Sequence, residues 1–159
     1  MAIHFLDSSA IVKRYFQEQG HHWVKALHDP AIGHELYISE AALIEVIASI
    51  CRKAREQDMP VEERDATINA FMWYVQSIYN IRLVDRALYI AAGNLCRSHR
   101  LRAYDAVQLA SAIAVREEAL AVQSLEVKFS EFAFVSGDVR LLSMAVAEGF
   151  RVENPNNYS

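Results

Sequence analysis

The feature that most constrains this chain is its alternation of short β-forming runs with longer segments of helical periodicity. Residues 2–6, 36–38, 81–84, 133–136 and 150–152 are brief and rich in apolar, β-branched or aromatic side chains. Between them apolar residues recur at i, i+3 and i+4 steps, most clearly as Ile68, Phe71, Met72, Val75, Ile78 and Tyr79. Short strands separated by helices imply an α/β fold, in which a parallel sheet is covered on both faces.

Turn and cap residues divide the helices. Ser8 or Ser9 is expected to cap a first helix through Ile11, Val12, Tyr15 and Phe16, broken by Gly20, with a second over 21–28. Ser39 is expected to cap a helix running to about Gln57, and Pro60 with Glu62 and Glu63 begins the next. Further helices are expected over 86–99, 103–121 and 138–148, the last stopped by Gly149. No repeat, low-complexity tract or linker interrupts the chain. One domain over 1–155 with a short C-terminal tail, 156–159, is therefore expected.

Four carboxylates lie where burial threatens them. Asp7 ends the run Ile3-His4-Phe5-Leu6, and Asp138 follows Phe132-Ala133-Phe134-Val135. Glu45 interrupts Ala41-Ala42-Leu43-Ile44 and Val46-Ile47-Ala48, and Asp105 opens Ala106-Val107-Gln108-Leu109-Ala110. An isolated buried carboxylate is costly unless a positive charge neutralises it. Asp7 and Asp138 fall at strand ends that face helices, the edge where open α/β sheets bind ligands, although Asp is equally a common helix N-cap. Glu45 has Ala41, Ala42, Ala48 and Ser49 as its helical neighbours, a small-residue face that recesses it. A shared cation explains all four positions at once. All-oxygen donors suit Mg²⁺ or Mn²⁺, and no paired His or Cys motif suggests zinc.

The 159 residues carry 20 acidic and 16 basic side chains, a formal charge of -4, which argues against bulk coating of nucleic acid while allowing a local basic patch. Cys51 and Cys96 lack metal-ligand spacing and are read as core thiols of a reduced protein. No apolar stretch is long enough to span a membrane and the N-terminus lacks a signal peptide's basic region, so no membrane association and a cytoplasmic location are expected.

The ordered set Phe5-Leu6-Asp7-Ser8-Ser9-Ala10-Ile11-Val12-Lys13, Ser39-Glu40-Ala41-Ala42-Leu43-Ile44-Glu45-Val46, Leu101-Arg102-Ala103-Tyr104-Asp105-Ala106-Val107-Gln108-Leu109-Ala110 and Phe134-Val135-Ser136-Gly137-Asp138 resembles PIN-domain ribonucleases, specifically the VapC-type toxins of type II toxin-antitoxin pairs. The closing run from Ala147 to Pro155 is similar to that family's last helix, turn and edge strand. The resemblance implies a three-layer α/β/α fold with a central parallel sheet of about five strands. It also implies an Mg²⁺- or Mn²⁺-dependent endoribonuclease, usually a homodimer, held inactive by a cognate antitoxin protein. Asp7, Glu45, Asp105 and Asp138 would be its catalytic, metal-holding acids, with Ser9 and Ser136 in support. The chain departs from the pattern in extra residues around Glu117 to Glu131.

RNA phosphates would need cations, for which Lys13, Arg14, Arg100, Arg102 and Arg140 are candidates, as are Arg97 and His99. Solvated salt bridges explain the same residues equally well. His4 reads as a structural strand residue, and His21 with His22 as surface. Most of Tyr15, Phe16, Trp23, Trp73 and Tyr74 read as core. Competing readings are a non-catalytic RNA-binding or dimerisation module, a phospho-acceptor domain using Asp7, and a helix-turn-helix over 86–121. The second lacks a further Asp two residues after Asp7, and in the third Asp105 would put a negative charge on the recognition helix.

Overall fold

A computed structural model describes residues 2–122 and 132–159. The strands are β1 (Ile3–Leu6), β2 (Glu35–Ser39), β3 (Asn80–Arg82), β4 (Phe132–Val135) and β5 (Arg151–Glu153). The helices are α1 (Ser8–Val12), α2 (His21–Leu27), α3 (Ala42–Glu56), α4 (Val61–Ser77), α5 (Arg86–Ser98), α6 (Ala103–Val122) and α7 (Val139–Ala147). A 3-10 turn, Pro155–Asn157, closes the chain, and Tyr158 beyond it stacks flat on Trp23 at 4.6 Å. Of the extra residues around Glu117 to Glu131, 123–131 lie outside the described residues.

The five strands form one parallel sheet in the order β3-β2-β1-β4-β5. Period-two alternation sends each strand's side chains to two separate cores. Ile3 and Phe5 of β1 and Phe132 and Phe134 of β4 join Leu109, Leu141 and Phe150 on one face. Leu6, Leu36, Ile38 and Val135 join Ile11, Val46, Ile50 and Phe71 on the other. The expected three-layer α/β/α arrangement is therefore present. Burial of so many large side chains on both faces supplies the main stabilisation.

Strand order reverses between β1 and β4, whose register pairs Leu6 with Val135. The residues that leave this switch point side by side are Asp7 and Ser136, and the Asp7 amide donates to the Val135 carbonyl at 3.1 Å. A parallel sheet opens a crevice there, because its two outgoing connections diverge.

Several local expectations are corrected. The first helix ends at Val12, because Lys13, Arg14 and Tyr15 donate to carbonyls only three residues back, which tightens and ends the helix. Its cap is Asp7, whose side chain accepts from the Ala10 amide, not Ser8 or Ser9. Ser39 does not cap α3. Its hydroxyl accepts from the Ala41 amide and from Ser111, ahead of a helix with no side-chain cap. His21 is buried, with Nδ1 2.8 Å from the Lys13 carbonyl, whereas His22 is exposed as expected. Cys96 is exposed and Cys51 only half-buried, so neither is a core thiol. Trp73 is 55% exposed and stands outside the core.

Candidate active site

Asp7 follows β1 directly and is 3% exposed. Its Oδ1 accepts from the Ser9 hydroxyl at 2.7 Å and the Ala10 amide at 2.9 Å, and its Oδ2 accepts from the Ser136 hydroxyl at 2.6 Å. Each serine has one proton, and both protons are spent on Asp7. Ser9 Oγ in turn accepts from the Gly137 amide at 2.9 Å, and Ser136 Oγ from the Asp138 amide at 3.0 Å. The 3.3 Å approach of the two hydroxyls is therefore a contact between committed donors. This network fastens the loop between β4 and α7 to Asp7.

Three hydrogen bonds favour the Asp7 carboxylate, yet burial outweighs them. Desolvation, with a contribution from the Glu45 charge, raises its pKa from 3.8 to about 6. Glu45, in the first turn of α3, is half-buried; Gln108 Nε2 donates to its Oε1 at 2.7 Å and the Ser8 hydroxyl to its Oε2 at 3.3 Å. Its pKa is raised by burial despite those bonds, with the Asp105 charge adding to the effect. Asp105, in the first turn of α6, is likewise raised by burial and then by the Asp138 charge, while Arg102 and Arg140 oppose the shift. Asp138 is exposed and caps α7, accepting from the Arg140 and Leu141 amides at 2.9 and 3.3 Å. Each carboxylate thus feels the field of the next, from Asp7 through Glu45 and Asp105 to Asp138.

None of the four makes an ion pair among the described residues. Nor do the described residues contain three or more His, Cys, Asp or Glu side chains already gathered into a metal cage. The donor set fits a hard divalent cation in chemistry: all oxygen, mutually repelling, and without ion pairs among the described residues. Gln108 adds a buried Oε1 with no hydrogen-bond partner, directly behind Glu45. Ser8 and Gln108 were not singled out from sequence. Gln108 carried a usable signal, a polar side chain within an otherwise apolar helical run.

The candidate phosphate contacts divide. Arg100, Arg102 and Arg140 line a small recess with Asp105 and Asp138. Lys13 lines a larger cleft that also reaches Asp138. Arg14 lies apart, its guanidinium 4.1 Å over the Tyr74 ring and bonded to the Tyr74 hydroxyl, a packing role against α4. His99 is engaged with Glu148 at 2.7 Å.

The fold is similar to several solved structures. VapBC2 from Rickettsia felis, bound to a DNA fragment from its promoter, matches with a TM-score of 0.61 at 15% identity, covering 96% of this chain and 98% of that one. Mycobacterium tuberculosis VapC20, a Sarcin-Ricin loop cleaving toxin, matches with a TM-score of 0.59 at 14% identity, over 92% and 95% of the two chains. FitAcB from Neisseria gonorrhoeae gives 0.59 at 13% identity, over 96% and 97%. At such identities the likeness is one of fold. No curated protein matches the chain. The PIN domain family model, however, matches residues 4–135, most of the sequence, from within β1 to the end of β4. The chain belongs to the PIN domain family.

Proposed function

We propose that the chain is a divalent-metal-dependent endoribonuclease, the toxin of a toxin-antitoxin pair, that hydrolyses RNA phosphodiester bonds at Asp7, Glu45, Asp105 and Asp138. The observation that carries this reading is the run of carboxylates near the strand-order switch that makes no ion pair among the described residues, with Asp7 buried and hydrogen-bonded yet still raised to about 6. Positive charge brought to such a site would relieve that cost. Mg²⁺ or Mn²⁺ held by Asp7, Glu45 and Asp105, with Asp138 alongside, would neutralise the scissile phosphate and make water nucleophilic near neutral pH.

The protein's own contribution is orientation. Ser9, Ser136 and the Ala10 amide fix both oxygens of Asp7, and Gln108 and Ser8 fix those of Glu45. Arg102 and Arg140 flank Asp105 and offer guanidinium groups to phosphates next to the cut. The overlap with VapBC2 and VapC20 supports RNA as substrate and a cognate antitoxin as partner. No helix among the described residues is long and apolar enough to cross a membrane.

The test is cleavage of cellular RNA by purified protein in Mn²⁺ or Mg²⁺ and in EDTA, beside Asp7→Asn and Gln108→Leu. Metal-dependent cutting is expected, lost in Asp7→Asn and reduced roughly 10- to 100-fold in Gln108→Leu, a loss typical of removing a group that orients a metal ligand. Equal cutting by wild type and Asp7→Asn would sink the assignment. Metal-independent RNA binding without cutting would favour a non-catalytic module.

A further inference from the structure

Beside the acidic site lies a cleft of about 520 Å³, bounded by Ser8, Ser9, Lys13, Arg52, Lys53 and Asp138. Three cations, Lys13, Arg52 and Lys53, line it with two acids, Asp138 at the edge nearest the site and Glu18, which the two lysines share. The Lys53 ammonium is 2.7 Å from one Glu18 oxygen and the Lys13 ammonium 3.5 Å from the other. Lys13 also donates to the Gln19 carbonyl at 2.9 Å. Arg52, whose side chain is 62% exposed, reaches Glu56 at 3.9 Å and no other acid among the described residues. Gly137 leaves the way from this wall to the acids open: a β-carbon there would come within 3.3 Å of Lys13 Cε and 3.5 Å of Ser9 Oγ. Asp138 lines both this cleft and the recess of Arg100, Arg102 and Arg140. Cations therefore flank the carboxylates on two sides, as a polyanion crossing them requires.

We propose that this cleft seats backbone phosphates of the RNA strand beside the scissile one, and that Glu18 occupies the phosphate position in the free protein. A carboxylate and a phosphodiester each carry one negative charge on two terminal oxygens, so either satisfies the same pair of ammonium groups. The strand enters by displacing Glu18 from Lys13 and Lys53, and Arg52 takes the next phosphate. This rests on the nuclease reading for the identity of the ligand.

The test is fluorescence anisotropy of a labelled single-stranded RNA of mixed sequence, titrated with protein in EDTA at several salt concentrations. Arg52→Gln and Lys53→Gln should each lower the slope of log K against log salt by about 0.7, equivalent to about fivefold weaker binding near 0.1 M salt. Glu18→Gln should tighten binding by a similar factor, since the competing charge is gone. Thermal melts confirm folding, and exposed Arg52 lies outside the lysine–glutamate network. Unchanged affinity in Arg52→Gln and Lys53→Gln, weaker binding in Glu18→Gln, or no RNA binding by wild type would overturn the proposal. In Mn²⁺ the lysine and arginine variants should raise KM with little change in kcat. Cutting that is indifferent to them would refute the cleft and leave the nuclease reading intact. Cleft-dependent RNA binding by a protein that never cuts would do the reverse.

Discussion

Replacing Asp7 by Asn should stabilise the metal-free protein while abolishing activity. Asp7 ionises near pH 6 in the fold against an ordinary 3.8. The difference of 6 - 3.8, about 2 pH units, corresponds to roughly 3 kcal/mol of destabilisation at pH 7.5, where the carboxylate is charged in both states. Asn retains Oδ1 for the Ser9 hydroxyl and the Ala10 amide. Its Nδ2 then donates to Ser136 Oγ, whose own proton turns towards Ser9 Oγ, 3.3 Å away. The network survives with one proton reversed. Allowing about 1 kcal/mol for that poorer bond, a net gain near 2 kcal/mol remains. For a domain of this size that raises Tm by about 4–8 °C. Thermal unfolding in EDTA at pH 7.5 measures it. A raised carboxyl contributes stability that is fully present below 3.8 and lost as pH rises through about 6, so the advantage of Asn should vanish on acidification through that window. An Asn variant less stable than wild type in EDTA at pH 7.5 would refute the view that burial outweighs the three hydrogen bonds. Saturating Mn²⁺ should reverse the order of stability, because only wild type can bind it well.

Acid should unfold the protein through two histidines. His4, packed edge-on against His34, and His28, whose Nδ1 donates to the Val24 carbonyl, are both lowered by burial from 6.5 to about 4. Each stays neutral in the fold while the unfolded chain takes a proton, so stability present above pH 6.5 is lost as pH falls towards 4, by at most roughly 3 kcal/mol per histidine. Asp7 offsets part of this in metal-free protein. His4→Phe keeps a ring in place and should remove up to roughly 3 kcal/mol of the stability loss between pH 6.5 and 4, read by urea unfolding; an unchanged profile would show that His4 is not the group involved. At Gly20, φ is +86° and an added Cβ would fall 2.4 Å from the Pro155 carbonyl oxygen. Gly20→Ala should cost about 1–3 kcal/mol and unseat the Trp23–Tyr158 stack, read as a change in tryptophan fluorescence. Unperturbed fluorescence and stability would mean the terminal turn moves aside freely.

The sheet was legible because strand periodicity and strand-end carboxylates are local signals. Asp7 and Asp138 each end an apolar run, and parallel topology necessarily places such ends along one edge. Hydrogen-bond partners were not legible, because they depend on register. Ser136 meets Asp7 only because Leu6 pairs with Val135. Gln108 meets Glu45 only because the fold brings the start of α6 to the start of α3, 63 positions apart in sequence. Arg14 beside Lys13 shows the same limit. One turn of chain sends Lys13 to the acidic edge and Arg14 to Tyr74, a divergence set by the early end of α1.

The serines link the loop of an exposed Asp138 to a buried Asp7. Ser9 and Ser136 each donate one hydrogen bond to Asp7 and accept one from an amide of the loop after β4. Charge on Asp7 thus orders that loop, and the loop amides polarise the hydroxyls towards Asp7, each bond strengthening the next. The strengthening falls short of restoring an ordinary carboxyl pKa, since desolvation still dominates. Only Asp7 and its loop are fixed in this way, since the acids are not gathered into a cage among the described residues. The loop carrying Asp138 is held in place by the fold itself, so the ordering cost falls on folding, where two apolar cores bear it.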